Sequence, residues 1–168
     1  RCAADFRHFL KRFLQEALEE VEALLNLALI EGRLVSLSSY LSILEELSQP
    51  PEEGFVGQDE AGAVESYLRR SLEAIFDVGH HILAKSGHVE LAGEYKSIAR
   101  GLERIGAVDA QLGERLVQMA GYRNRMVHLY DEVADEELYA ILTENLADVR
   151  EFIRQIREFL RKRGLEDT

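Results

Sequence analysis

Apolar residues recur every three or four positions along most of the chain, which is the spacing of one face of an α-helix. The first stripe runs from Phe6 to Leu29 and predicts a long helix that ends at Gly32, since glycine commonly stops helices. A second stripe, from Leu34 to Leu47, predicts another helix before the proline pair at 50 and 51. We expect a connecting loop from Pro50 to Gly62, because this stretch holds both prolines and three glycines.

Four further helical stripes follow in the rest of the chain. They span Val64 to Leu83, Tyr95 to Ile105, a segment capped by Asp109, and a last long helix from Asp135 to Arg163. No segment alternates apolar and polar residues with the period of two that marks a β-strand. The pattern predicts an all-α protein, an up-and-down bundle of five to six helices. We expect two parts, an N-terminal extra helix over 1–32 and a helical domain over 33–168.

Composition and charge narrow the classes of protein. Of the 168 residues, 46% are apolar and 30% are charged, which excludes intrinsic disorder. A net charge of −11 argues against binding of nucleic acid through bulk charge. The single cysteine, Cys2, cannot form an intrachain disulfide and fits a reducing compartment, so we expect a cytoplasmic protein. The richest apolar stretch, Val21 to Ile30, is interrupted by Glu22 and Asn26, so we expect no membrane-spanning segment.

Candidate chemistry concentrates in the middle of the chain. Residues 61–130 carry 9 basic and 8 acidic residues and four of the five histidines. Two arginines, an amide, a histidine and a tyrosine fall within eight residues there: Arg123, Asn124, Arg125, His128 and Tyr130. Arginine can bind a phosphodiester through paired hydrogen bonds, and histidine can exchange a proton near neutral pH. Because RNA supplies its own nucleophile, the 2′-hydroxyl, these groups suffice in principle for metal-free RNA cleavage.

Helix geometry limits how these groups can meet. On a regular helix Asn124 and His128 share a face, whereas Arg123 lies about 140° away from His128. Either the helix ends near Val127, so that the histidine turns toward the arginine, or two copies of the segment share one cleft. A purely structural alternative also stands, because arginine and histidine at a helix C-terminus commonly cap carbonyl groups, and Tyr130 could belong to the core.

The motif Arg123-Asn124-x-x-x-His128-x-Tyr130 resembles the Arg-x4-His-x-Tyr signature of the HEPN superfamily, in particular its HepT-like (DUF86) toxins. The helix over 63–84 resembles the long family helix that precedes this motif, and the similarity covers roughly residues 33–163. The resemblance implies a homodimer that places two motifs in a shared cleft. It also implies a metal-independent endoribonuclease that requires no cofactor.

The same resemblance implies roles for the motif residues. Arg123 and His128 map onto the catalytic pair, Asn124 maps onto a polar neighbour that orients the site, and Arg125 is a further supporting residue. Tyr130 maps onto the tyrosine that a minimal nucleotidyltransferase antitoxin modifies with AMP, in a type VII-like toxin–antitoxin system. A nucleotide on Tyr130 would add bulk and negative charge beside His128 and would compete with the RNA phosphate.

Two points stand apart from this picture. A non-catalytic HEPN module that binds a nucleotide or a protein partner remains the alternative function. The N-terminal helix from Phe6 to Ile30 departs from the family pattern, either as a structural cover or as a docking or dimer element.

Other polar groups are explained by ordinary surface roles. His80 and His81 are adjacent, and therefore about 100° apart on a helix, which disfavours a zinc site. Glu73 and Asp77 step along the face of a solvated helix. A basic line on the last helix is interleaved with acids, which favours surface ion pairs over an RNA track. Its members are Arg150, Arg154, Arg157 and Arg161.

Overall fold

The computed structural model of the chain describes residues 2–49, 59–127 and 133–163. Six α-helices and one short 3-10 helix occupy these described residues. They are α1 (Cys2–Leu47), α2 (Asp59–Lys85), the 3-10 helix (Val89–Leu91), α3 (Tyr95–Arg104), α4 (Ala110–Val127), α5 (Asp135–Glu144) and α6 (Leu146–Lys162). The described residues contain no β-strand, so the all-α prediction is confirmed. The chain divides into two compact units, residues 1–32 and residues 33–168.

Helix α1 runs without a break from Cys2 to Leu47, so the predicted helix end at Gly32 is wrong. A glycine inside a helix costs only about 1 kcal/mol relative to alanine, and leucine-rich turns on both sides favour the helix. In the unit of residues 33–168, the side chains of Leu34, Leu37 and Leu44 are fully buried. The last turns of α1 are therefore a core element of that unit.

The unit of residues 1–32 carries an exposed apolar surface. Phe6, Phe9 and Phe13 are 63%, 55% and 57% exposed. Within Phe6–Leu47, an 18-residue window has a mean hydropathy of at least 1.2, and 28% of it is buried. By length and composition alone, α1 is long and apolar enough to cross a membrane. Core helices of soluble proteins pass the same test, so this finding alone is weak evidence for a span.

Helix α2 is the centre of the unit of residues 33–168, where it packs against α3, α4 and α5. Its core side chains Ile75, Phe76 and Leu83 are buried. Helix α1 meets α2 through the rings of Tyr40 and Tyr67, whose centroids lie 5.9 Å apart. An ion pair between Glu45 and Arg150 joins α1 to α6.

Helices α2 and α3 approach each other closely at Gly79. A Cβ atom at this position would lie 2.5 Å from Cγ2 of Ile98, so a larger residue would have to displace this side chain of α3. The close approach brings Tyr95, the first residue of α3, against Phe76 of α2, with 5.0 Å between the ring centroids. This aromatic pair forms one wall of the candidate site described below.

The start of α4 is capped as the sequence predicts. The backbone N–H of Leu112 donates to Oδ1 of Asp109 at 2.8 Å. The buried Gln155 of α6 donates its amide to Oδ2 of Asp109 at 2.8 Å and accepts from the backbone N–H of Asp109 at 2.7 Å. Before this cap, Gly106 has φ +76° and follows the end of α3, which confirms the predicted stop.

Two predicted boundaries differ from the structure. Helix α2 begins at Asp59, so the part of the predicted loop over 59–62 is helical, while residues 50–58 lie outside the described residues. The last predicted helix is two helices, separated at Asn145, whose φ of −114° and ψ of −3° depart from helical values. Asparagine competes for backbone hydrogen bonds and favours helix ends. The apolar spacing continues across the break, so the pattern could not reveal it.

Candidate functional site

Helix α4 carries the first part of the motif. Near its C-terminal end the guanidinium of Arg123 lies over the ring of Tyr95, with 4.5 Å between Cζ and the ring centroid. Tyr95 is in turn packed on Phe76. A cation over an aromatic face is attracted by the ring quadrupole. Arg123 is therefore positioned by an aromatic pair that α2 and α3 supply.

The hydrogen-bonding groups of Arg123 are not all used. Its Nε is buried and has no hydrogen-bond partner among the residues that the structure describes. No carboxylate of those residues forms an ion pair with Arg123 either. A guanidinium that is held in place without a described carboxylate partner is suited to bind an anion such as a phosphodiester.

Arg125, two residues further along, is paired with a carboxylate. Its Nη1 and Nη2 donate to Oε1 and Oε2 of Glu137 at 2.7 and 2.8 Å. The same guanidinium lies 5.6 Å from the ring centroid of Tyr122. This bidentate pair links α4 to α5, which precede and follow residues 128–132 in the sequence.

The pair also changes the acidity of the carboxyl group. Hydrogen bonds from the Arg125 guanidinium hold the pKa of Glu137 below its ordinary value, against a partial desolvation that would raise it. The charge of Arg125 and a hydrogen bond from Tyr122 act in the same direction. Glu137 is therefore ionised at neutral pH, which keeps the link between α4 and α5 intact.

The remaining motif residues are placed only in part. Asn124 is exposed on α4, which extends through Val127. His128 and Tyr130 lie outside the described residues. Both arrangements that the sequence left open, a turn after α4 and a cleft shared by two copies, therefore stay open.

Sequence reasoning missed three residues that act on the motif. Tyr95 and Phe76 support Arg123, and Glu137 pairs with Arg125. The sequence pattern placed Tyr95 and Phe76 in helices but indicated no contact with the motif. Neither residue lies near the motif in the sequence. Glu137 carried no signal beyond its place in an acidic helix start, because its partner depends on how α5 packs against α4.

The histidines of α2 and Arg154 of α6 lie close to neighbouring acceptor groups. His80 Nδ1 lies 2.9 Å from the carbonyl oxygen of Ala92, and His81 Nε2 lies 3.4 Å from Oδ1 of Asp77. Within the described residues, no group of three or more His, Cys, Asp or Glu side chains is placed to hold a metal ion. On α6, Arg154 pairs with Glu151 and Glu158, which confirms surface ion pairing there.

Comparison with known families agrees with the motif. The family described as ribonuclease HepT-like matches residues 37–156. Among curated relatives, the tRNA nuclease HepT of Aphanizomenon flos-aquae is 23% identical over 133 residues, which cover 79% of this chain and 90% of that protein. The chain belongs to the ribonuclease HepT-like family, and the resemblance drawn from the motif is confirmed.

Solved structures share the fold. YutE of Bacillus subtilis, described as a cytosolic protein of unknown function, superposes with a TM-score of 0.70 at 20% identity, over 84% of this chain and 94% of YutE. A tri-AMPylated HEPN toxin of Shewanella oneidensis, solved in complex with an MNT antitoxin, gives a TM-score of 0.67 at 22% identity, over 77% of this chain and 96% of the toxin. The HEPN-like helical fold is thereby confirmed.

Proposed function

We propose that the chain is a metal-independent RNA endonuclease, the toxin of a toxin–antitoxin pair. Membership of the ribonuclease HepT-like family supports the reaction class. The observation that carries the proposal is the state of Arg123, which is fixed on Tyr95 while no described carboxylate neutralises it. A cation in this state is available for the charge that develops on a phosphate in the transition state.

The reaction uses the 2′-hydroxyl of the substrate RNA. The imidazole of His128 accepts the proton of this hydroxyl while the 2′-oxygen bonds to phosphorus and the bond to the 5′-oxygen breaks. The protonated imidazole of His128 then gives this proton to the departing 5′-oxygen, and the products are a 2′,3′-cyclic phosphate and a 5′-hydroxyl. Arg123 binds the non-bridging oxygens, Asn124 orients the site, and Arg125 supports it through Glu137.

We propose a cytoplasmic homodimer in which the two motifs face a shared cleft, so that Arg123 and His128 can meet despite the angle between them. Residues 1–32 form an extra N-terminal helix segment, and residues 33–168 form the HEPN domain. The single cysteine and the description of YutE as cytosolic support the compartment.

A minimal nucleotidyltransferase antitoxin neutralises this toxin by transferring AMP from ATP to the hydroxyl oxygen of Tyr130, with release of pyrophosphate and the phenolic proton. The AMPylated toxin from Shewanella oneidensis in complex with its MNT antitoxin supports this partner class. After co-expression with such an enzyme, mass spectrometry should find AMP on the peptide that contains Tyr130. Neutralised toxicity with an unmodified Tyr130 peptide would contradict the modification, though not the nuclease activity.

The nuclease is tested with purified protein and RNA in excess chelator. We expect the wild type to cleave and the His128→Ala variant to be inactive. His8→Ala, which removes an exposed histidine near the start of α1, is the matched control and should cleave like the wild type. Cleavage by His128→Ala, or no cleavage by the wild type, would reject the enzyme and leave a binding module.

A further inference from the structure

A cavity of about 540 Å³ lies in the unit of residues 33–168, and its lining includes Tyr95, the residue whose ring Arg123 contacts. It is lined by the last turns of α1, by the middle of α2, and by residues 92–98 around the start of α3. Tyr95 belongs to its wall and also carries the guanidinium of Arg123. The cavity has the size of a small-ligand site. The Tyr95 side chain contacts both this cavity and the proposed catalytic arginine.

The cavity is built from polar stripes on two helices. Glu73 and Asp77 belong to a polar stripe on α2 that lines this cavity. The sequence pattern alone assigned both residues to a solvated helix face. The stripe on α1 follows the same spacing of three and four residues. The lining residues of the two stripes are Arg33, Ser36 and Tyr40 on α1, and Arg70, Glu73, Asp77 and His80 on α2.

The two carboxylates of the cavity are in different states. Asp77 forms an ion pair with Arg33, with 2.6 Å between Oδ2 and Nε but without the angles of a hydrogen bond, and it also lies beside His81. The exposed Glu73 forms no ion pair and no hydrogen bond with any residue that the structure describes. Both oxygens of the Glu73 carboxylate are therefore available to accept hydrogen bonds from a ligand.

Aromatic and cationic side chains complete the cavity. Tyr40 lines it, and the Tyr40 ring is supported from behind by Tyr67 at 5.9 Å. Arg70 is exposed at the rim and lies over the same Tyr67 ring at 5.6 Å. Proteins recognise unpaired RNA bases by stacking them on aromatic or guanidinium planes and by hydrogen bonds to the Watson–Crick edge.

We propose that this cavity binds an unpaired guanine of the RNA substrate, adjacent to the phosphate held by Arg123; the proposal rests on the proposed ribonuclease function. Guanine is the RNA base whose Watson–Crick edge carries two adjacent donors, N1–H and N2–H, and these match the two oxygens of Glu73. Adenine and cytosine present a ring acceptor beside their amino group, which a carboxylate oxygen repels. Uracil presents a single N–H between two carbonyl groups.

Binding of the four mononucleotides to the full-length protein tests the guanine site. By calorimetry, we expect GMP to bind at least about tenfold more tightly than AMP, CMP or UMP, since one well-formed edge contact discriminates by about that factor or more. Glu73→Gln should remove this preference, because an amide offers only one acceptor. Glu65→Gln, at another exposed position of α2 outside the cavity, is the matched control and should bind GMP like the wild type.

Three outcomes would overturn the guanine site: no binding of GMP, equal binding of all four nucleotides, or unchanged GMP binding by Glu73→Gln. The His128→Ala variant separates this proposal from the nuclease proposal, since it should lose cleavage but keep GMP binding. On RNA substrates, Glu73→Gln should raise KM for guanine-containing sequences and leave kcat within about twofold. An equal fall in kcat for all sequences would assign Glu73 to the chemistry instead.

Discussion

The C-terminal end of α4 carries two arginines on opposite sides, and only one of the two is paired with a described carboxylate. Arg123 lies on Tyr95 and has no described carboxylate partner, whereas Arg125 donates two hydrogen bonds to Glu137. The two residues are two positions apart and so point about 160° away from each other around the helix. One side of the helix therefore carries an arginine without a described carboxylate partner, and the other side carries an arginine in a bidentate ion pair.

This difference shows why residue type alone does not define a phosphate site. Arginine near a histidine suggests anion binding, but a carboxylate partner satisfies the same donors. Of these two arginines, Arg123 is the one whose Nε is buried without a hydrogen-bond partner among the residues that the structure describes. Arg125 joins the helices on either side of residues 128–132 through Glu137, and we expect its effect on the reaction to be indirect.

The largest expected effect on RNA cleavage follows from removing the guanidinium of Arg123. In Arg123→Ala, RNA cleavage should fall about 100- to 1000-fold, because charge that develops on the phosphate loses its counter-charge. Single-turnover cleavage assays measure this fall. Arg161→Ala, which removes an exposed arginine of α6, is the control and should cleave like the wild type. Normal cleavage by Arg123→Ala would end the distinction between the two arginines.

A smaller effect on RNA cleavage is expected when the Tyr95 ring that contacts Arg123 is changed. Tyr95→Leu removes the aromatic ring and should lower kcat about tenfold, in line with the strength of a partly desolvated cation–π contact. Tyr95→Phe keeps the ring and should retain nearly full activity. If both variants lose activity equally, the hydroxyl of Tyr95 and not its ring matters, and the positioning role is wrong.

The ion pair on the other side of α4 should affect stability more than chemistry. A double-mutant cycle with Arg125→Ala and Glu137→Gln should give a coupling of about 1 kcal/mol at pH 7, measured by denaturant unfolding. Cleavage should fall only a few-fold. A loss of cleavage as large as that of Arg123→Ala would make Arg125 a direct phosphate ligand.

The same pair predicts a pH dependence of stability. The pKa of Glu137 is lower in the folded protein than its ordinary value of 4.5. The stabilisation is therefore present above that ordinary value and is lost as the pH falls through the lower, folded-state pKa. The difference in stability between the wild type and Glu137→Gln should vanish in acid. A difference that persists at low pH would show that the carboxylate charge is not its source.

The smallest effect is expected for a substitution in the unit of residues 1–32. Phe9 is 55% exposed, so Phe9→Ser removes little buried surface. We expect a change in unfolding free energy within about 0.5 kcal/mol and unchanged RNA cleavage. A large loss of stability or activity would show that this exposed apolar face is covered in the active assembly.

Most of the fold could be predicted because helix-forming apolar stripes have a strong and local signal. The bundle, the Asp109 cap and the stop at Gly106 follow from residues that act on their own neighbours. The wrong boundaries lie where local preference was weak or balanced. Gly32 favours a helix end by only about 1 kcal/mol, and Asn145 interrupts a stripe whose spacing does not change.

The candidate site could be predicted only as far as its chemistry is local in sequence. Arg123 is part of a recognisable motif, but the Tyr95 beneath it comes from another helix. The interpretation of Glu73 and Asp77 as a solvated surface missed the cavity, because its opposite wall comes from α1. Contacts between distant segments depend on packing angles and close approaches such as that at Gly79, which no spacing rule contains.

The central claim is that the nuclease uses the 2′-hydroxyl of its substrate, with Arg123 and His128 as the acting groups. Mass spectrometry of the cleavage products in excess chelator tests it most directly. We predict fragments that end in a 2′,3′-cyclic phosphate and begin with a 5′-hydroxyl, and no cleavage of a strand with 2′-deoxyribose at the cut position. Fragments with 3′-hydroxyl and 5′-phosphate ends, or efficient cleavage of the 2′-deoxy strand, would contradict the account.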